Sequence, residues 1–180
     1  DEAHCVSQWG HEFRRDYTRL DQLKDVFPDT PMLGLTATAD SRTRADIATQ
    51  LRMHDPKIFV SSFDRPNIKY SIYERGNEIK QLHDFITINH PNDTGIVYCL
   101  SRKKVEKVAQ ELLMRGHNAV PYHAGLPTAD RQQAQDAFNR ETNIIIVATI
   151  AFGMGIDRPD VRFVAHMDLP KSIEGYYQET

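Results

Sequence analysis

Gly95-Ile96-Val97-Tyr98-Cys99-Leu100, followed at once by Ser101-Arg102-Lys103-Lys104-Val105, is the stretch that decides the fold. The first part is a short apolar run bounded by turn residues, which reads as a buried strand. The second opens a helix: Val105, Val108, Ala109, Leu112 and Leu113 recur at helical spacing and mark one buried stripe. Ser101 fits its N-cap and Gly116 its stop. The same alternation runs outward on both sides. Segments 32–35, 144–149 and 161–167 read as further buried strands. Ile79, Leu82, Phe85 and Ile86 mark a second helix, and Ala134, Ala137 and Phe138 a third that opens at Pro127-Thr128. Strands alternating with helices predict an α/β fold with a mostly parallel sheet covered on both faces.

Phe63-Asp64-Arg65-Pro66-Asn67 interrupts this rhythm, because Pro66 removes a donor and holds Arg65 extended. The expected boundary between two domains lies here, giving segments 1–64 and 65–180. The piece before it has few strands; the piece after it begins with an extended segment (68–73) and continues in strand–helix units.

The 180 residues are 40% hydrophobic and 26% charged, which suits a chain that folds in water. No apolar run approaches the roughly 20 residues needed to span a bilayer, so no membrane association is expected. With no starting Met and no leader, position 1 is not expected to be a natural start. Cys5 and Cys99 are too few and too far apart for a disulfide framework or a zinc knuckle, and a reducing cytoplasm is the expected compartment. Net charge is −3, with nine basic against eleven acidic residues through Arg65 and thirteen against fourteen beyond it. Wholesale coating of phosphates is therefore disfavoured, while a few placed contacts with nucleic acid stay open.

Asp1-Glu2-Ala3-His4 sets two carboxylates side by side at an expected strand end. Asp1 suits Mg²⁺ held through water, and Glu2 suits orientation of a water that attacks a γ-phosphate. His4 is placed to pass a hydrogen bond to a neighbouring domain. Taken alone, the four residues read more readily as a solvated acidic terminus; the motifs further along the chain reverse that balance. Ser7 to Tyr17 holds four rings (Trp9, His11, Phe13, Tyr17) and two arginines around Gly10. Rings stack on bases for about 1–3 kcal/mol each, and arginine adds phosphate or cation–π contact. Trp9 and Phe13 equally fit core positions at i, i+4 on a helix; Gly10 with polar neighbours favours a loop that contacts DNA. A metalloprotease reading of His11-Glu12 fails, because position 15 is arginine where a second histidine is required. Thr36 and Thr38 share one face if extended and would relay a hydrogen bond, or else end a strand before a helix over 42–53 capped by Asp40 or Ser41.

Arg102, Lys103, Lys104 and Lys107 put positive charge into the first two turns of a helix, against its macrodipole. A DNA phosphate near Ser101 and Arg102 would resolve the conflict; a solvated basic face is the alternative. Tyr122-His123-Ala124-Gly125-Leu126 follows another extended stretch. Thr149 ends a strand and is a candidate for a DNA phosphate. In Phe152-Gly153-Met154-Gly155-Ile156-Asp157-Arg158-Pro159, the glycines let backbone approach a ligand, and Asp157 would take a ribose hydroxyl or a basic partner. Glu174 and Gln178 stand i, i+4 on an expected last helix.

In this order the motifs resemble those of the RecQ family of superfamily 2 DNA helicases. Asp1-Glu2-Ala3-His4 resembles motif II, Leu35-Thr36-Ala37-Thr38-Ala39 motif III, and Ser7 to Arg14 the aromatic-rich loop. Ser62 to Asn67 resembles the link into the second motor domain, Ile96 to Arg102 motif IV, Ala148 to Arg162 motif V, and Tyr176 to Thr180 the opening of motif VI. The resemblance is nearest to bacterial members. It implies RecA-like parallel sheets flanked by helices: the C-terminal part of motor domain 1 and most of motor domain 2. It implies ATP hydrolysis with Mg²⁺, coupled to 3′-to-5′ DNA unwinding in recombination and repair, on single-stranded DNA and duplex junctions, in a nucleoid-associated protein. Asp1 would be the Mg²⁺ residue, Glu2 the catalytic carboxylate with His4 beside it, and Trp9, Phe13 and Arg14 the DNA sensor; Gln178 would lie near the nucleotide cleft. The family's phosphate loop and motif VI arginines are not among the 180 residues, so the isolated chain is expected to hydrolyse no ATP. Its first part is expected to leave apolar surface uncovered. A translocase or remodelling ATPase that does not unwind, and a non-catalytic nucleic-acid-binding module, are the alternative functions.

Overall fold

A computed structural model describes residues 1–9, 13–61, 65–153, 158–170 and 173–180, and the side chains of all these except Glu174 and Gln178. Two compact units emerge, Asp1–Ser71 and Ile72–Thr180.

In the second unit, β1 (Thr94–Tyr98), β2 (Ala119–Tyr122), β3 (Ile145–Ala148) and β4 (Val161–His166) form one sheet in the order β2-β3-β1-β4. All its pairings are parallel, with Gly95 opposite Ile145 and Tyr98 opposite both Ala148 and His166. The strand rhythm of two sends alternate side chains to opposite faces. Val97, Ile145, Val147 and Phe163 pack with Leu82 and Ile86 of α3 (Glu78–Asn89) and with Val105, Val108 and Leu112 of α4 (Arg102–Met114). Ile96, Tyr98, Ile146 and Ala148 pack with Phe138 of α5 (Thr128–Arg140). This is the expected doubly covered α/β sheet, and each fully buried aliphatic side chain contributes about 1.5–3 kcal/mol.

The local signals explain the helix limits. Ser101 Oγ accepts the Lys104 N–H at 3.2 Å, and α4 ends where Gly116 takes φ 86°. Asn77 caps α3 in the same way. A short last helix, α6 (Ile173–Glu179), follows β4.

Two features lock the strands. A Cβ on Gly95 would overlap the Phe163 ring, so β1 and β4 approach only because the side chain is missing there. At the N-terminal edge of the sheet, Arg158 bonds Thr94 Oγ1 (3.1 Å), the Glu141 carbonyl (2.8 Å) and both Asp160 carboxylate oxygens. It thereby ties the start of β1 and the residue before β4 to the end of α5, and it holds the Asp160 carboxyl below the usual carboxylate range through their hydrogen bond.

The first unit has a small core of Ala3, Val6, Ile47 and Leu51, with Tyr17, Met32, Ala39 and Met53 against it. Its elements are a 3-10 turn (Ala3–Val6), a 3-10 stretch (Arg15–Gln22), α1 (Leu23–Val26) and α2 (Ser41–Gln50). Asp40 caps α2 by accepting the Thr43 N–H at 2.7 Å, and the helix stops three residues short of the expected 53. The expected strand over 32–35 does not form. A strand needs a ladder partner, and among the described residues this segment has one backbone bond, Ala3 N–H to Leu35 O at 2.8 Å. Asp1 and Glu2 likewise lead into the 3-10 turn, not out of a paired strand. Leu33, Leu35, Ile58, Phe59 and Val60 are exposed. In the second unit, Ile72 and Tyr73 of the expected extended segment also lie exposed and outside the sheet.

Candidate nucleotide and nucleic-acid sites

In the first unit the acidic pair is held from behind by a histidine. Glu2 sits in the left-handed region (φ 51°, ψ 42°), its N–H bonded to Asp1 Oδ1 at 2.9 Å. That conformation costs a non-glycine residue roughly 1–2 kcal/mol. His4 is fully buried. Its Nδ1 lies 2.8 Å from Thr36 Oγ1 and 3.3 Å from Glu2 Oε2, and its Nε2 lies 3.6 Å from Cys5 Sγ. The Thr36 hydroxyl donates to the Thr38 carbonyl and accepts the Thr38 N–H. With its proton so used, the Thr36 oxygen accepts from Nδ1–H of His4, which makes Nε2 the acceptor for the Cys5 thiol. One proton on His4 thus faces both the carboxylate and Thr36. Thr36 and Thr38 do not project side by side: Thr36 turns back on the backbone, and Thr38 is buried, its hydroxyl without a partner among the described residues.

The 3-10 turn runs directly into the aromatic segment. Trp9 and Phe13 are both exposed, so neither is the core residue that i, i+4 spacing allowed. Arg14 donates its backbone N–H to the Cys5 carbonyl at 2.9 Å, and its guanidinium lies 5.7 Å from the Tyr17 ring. Gly10, His11 and Glu12 lie outside the described residues, as do Ser62 to Asp64.

In the second unit, all four strands point one way, so the loops after them gather at the C-terminal edge of the sheet, where open α/β sheets bind ligands. Ser101 and Arg102 follow β1, His123 and Gly125 follow β2, Thr149 follows β3, and Asp168 follows β4. Hydrogen bonds bind these loops together: Thr149 N–H to Tyr122 O at 3.3 Å, and Leu100 N–H to Asp168 Oδ2 at 3.1 Å. Arg102 is exposed and lies over Gly125, where a Cβ would come within 2.9 Å of its Nη1. Ser101 is exposed, and its Oγ accepts the cap bond, which leaves the hydroxyl proton to donate; Thr149 is half-buried. Ser101, Arg102 and Thr149 therefore share one edge. Asp157 lies outside the described residues, and so does the side chain of Gln178, whose backbone is in α6.

Of the four cations expected on one basic face, Lys104 is not available. It bonds Asp168 Oδ1 (2.8 Å), Glu78 Oε2 (3.0 Å) and the Met167 carbonyl (3.0 Å). Burial pulls the Lys104 ammonium down, but the bonds to Asp168 and Glu78 outweigh it and its pKa is raised. Asp168 is lowered on balance: burial raises it, and Lys104, the Leu100 N–H and Arg75 more than offset that.

Three further residues bear on these sites and were missed in the sequence. His123 is buried, accepts the Gly125 N–H at Nδ1 (3.2 Å), and so donates from Nε2 to Glu106 at 3.2 Å. Tyr98 donates its hydroxyl to the Phe152 carbonyl at 2.9 Å; Gly153 (φ 141°) has no Cβ to meet that hydroxyl. Arg42 lies over Trp9. The signal for Arg42 in the sequence is a cation in the first turn of a helix, the same feature that marks Arg102, Lys103 and Lys104. Burial pushes the Cys99 thiol up to about 12, so it stays protonated as a core group.

Residues 77–180 match the helicase conserved C-terminal domain family. The chain is 53% identical over 180 residues to the ATP-dependent DNA helicase RecQ of Pasteurella multocida, covering 100% of this chain and 28% of the relative. It is 51% identical over 183 residues to the RecQ-like DNA helicase BLM of Xenopus laevis, covering 100% of this chain and 13% of that one. It thus spans less than a third of the curated relatives it matches. Among solved structures, S. cerevisiae Dbp5 bound to RNA and ADP BeF3 superposes with a TM-score of 0.74 at 20% identity, over 99% of this chain and 47% of that one, a likeness of fold. No described helix is long and apolar enough to cross a membrane. By this family match and by identity along its whole length, the chain belongs to the RecQ family of helicases, with residues 77–180 as a helicase conserved C-terminal domain.

Proposed function

We propose that this chain is the part of an ATP-dependent 3′-to-5′ DNA helicase that joins the water-orienting carboxylate to the DNA-sensing loop and supplies the second motor domain. Residues 1–64 belong to the first motor domain and 65–180 to the second. The enzyme unwinds single-strand-bearing duplexes and junctions in recombination and repair, at the nucleoid. The observation that carries the reading is His4. It touches Glu2 and Thr36 at once, and it sits on the same 3-10 turn that leads to the exposed Trp9 and Phe13.

The residues present fit a magnesium-bound nucleotide, because the exposed carboxylate of Asp1 offers hard oxygens that suit Mg²⁺, an ion that keeps much of its hydration. When bound, that ion supplies neutralising charge to the phosphate oxygens. The residues of this chain do the remainder. Asp1, exposed beside Glu2, would hold the ion. Glu2 orients the attacking water; the transition state is loose, so alignment counts for more than proton removal. His4 keeps the Glu2 carboxylate in place through Nδ1–H and transmits its position to Thr36. Trp9, Phe13 and Arg14 engage bases and phosphate, while Ser101, Arg102 and Thr149 hold the backbone at the second unit's sheet edge. Asp157 and Gln178 act at the nucleotide cleft.

In the full-length enzyme, Glu2→Gln should abolish DNA-stimulated ATP hydrolysis by a factor of at least about 10² while nucleotide binding persists. Thr36→Val should retain DNA-independent hydrolysis and lose its stimulation by single strands. Hydrolysis at the wild-type rate in Glu2→Gln would refute the proposal.

A further inference from the structure

Helix α2 does more than follow its cap. Arg42 and Asp46 stand one turn apart on one face of it, and both reach the start of the aromatic segment. Asp46 Oδ2 accepts the Ser7 hydroxyl at 2.6 Å, and Ser7 Oγ accepts the Trp9 N–H at 3.1 Å. Arg42 lays its guanidinium on the indole, Cζ 3.2 Å from the ring centroid. Trp9 still keeps 57% of its surface exposed. The cation therefore covers part of the ring and leaves the rest to solvent. A cation in the first turn of a helix opposes the macrodipole, and the contact with the indole is what offsets that cost.

We propose that Arg42 is the positioning residue of a base-stacking site for single-stranded nucleic acid: it backs the Trp9 indole and presents the ring's open surface to a nucleobase. The inference rests on the reading, given above, that the aromatic segment contacts DNA. Its physical basis is preorganisation. A ring already held by Arg42 on one side, and by the Asp46–Ser7 bond at its backbone, has less freedom to lose when a base arrives. The base can come from any sequence, because every base offers a π-face.

Trp9 is the only tryptophan in the 180 residues, so its emission reports this site directly. The chain is titrated with a single-stranded oligothymidylate across a salt series, as wild type, Arg42→Ala and Arg42→Lys, with acrylamide quenching of each protein free of DNA. Arg42 is exposed on a helix surface, and alanine and lysine are good helix formers, so the variants keep the fold; circular dichroism checks this. Arg42→Ala should bind roughly three- to fivefold more weakly, the size of an exposed cation–π contact. Its slope of affinity against salt should be unchanged, because no phosphate contact is lost. Acrylamide should quench it more strongly. Arg42→Lys, which keeps the charge but not the flat face, should resemble the alanine variant. Wild-type affinity and quenching in Arg42→Ala would overturn the proposal, as would full recovery by lysine with a reduced slope in alanine, which marks a plain phosphate contact. If acrylamide quenching rises in Arg42→Ala but the oligonucleotide leaves wild-type emission untouched, the aromatic segment does not contact DNA, and the stacking site falls with that reading.

Discussion

Lys104 stands in sequence between exposed cations and looks like one of them, yet it turns inward to Asp168 and Glu78. Removing it strands two partly buried carboxylates, so Lys104→Ala should cost about 1–3 kcal/mol. The pH dependence follows from the two shifts. Asp168 is depressed in the fold, so its contribution is present above the ordinary carboxylate pKa of about 4 and fades as pH falls through its folded value. Lys104 is raised, so its contribution is present below the ordinary lysine value of about 10.4 and fades above its folded value. Urea midpoints of wild type and variant should differ fully at neutral pH and converge below about pH 4. A constant difference down to strong acid would contradict the network. Such a partnership was not legible beforehand. Caps at Asp40 and Ser101 act within one turn and could be read directly, whereas Asp168 lies 64 residues from Lys104 and meets it only after the sheet is assembled.

Segments 32–35 and 95–100 have the same apolar look, but only the second becomes a strand. Composition reports a side chain's preference for burial; a ladder also needs a neighbour with unpaired backbone groups. β1 finds β3 on one side and β4 on the other, while among the described residues 32–35 finds only the N–H of Ala3. The contact of β1 with β4 has a strict steric condition. Gly95→Ala would drive a methyl into the Phe163 ring and should cost about 1–3 kcal/mol or more. Arg158→Ala should cost a similar amount by leaving buried Thr94 and the Glu141 carbonyl short of a donor. In a unit of this size each kcal/mol lowers the melting temperature by about 4–8 °C, which calorimetry of the two variants would resolve.

At the scale of the whole molecule, order should be uneven. β1 and β3 are buried along their full length, while the first unit rests on a few apolar residues. Hydrogen exchange should be slowest at Ile96 to Tyr98 and Ile146 to Ala148, and fast at 31–35 and 57–60; equal protection in the two units would contradict this. The alternation of strand and helix after position 93, and the parallel sheet it implies, were readable because each is a repeating local pattern. The support of Trp9 by α2 was not, because it joins residues with no shared period.

The Arg158 tie lies at one rim of the sheet and the loops proposed to meet nucleic acid at the other. Selection for what the domain grips and selection for how firmly it folds therefore act on separate sets of residues. Loops after the strands can diverge, lengthen or change their cargo while the opposite rim keeps the strands in register, so new specificities arise on this scaffold without the folding problem being solved afresh.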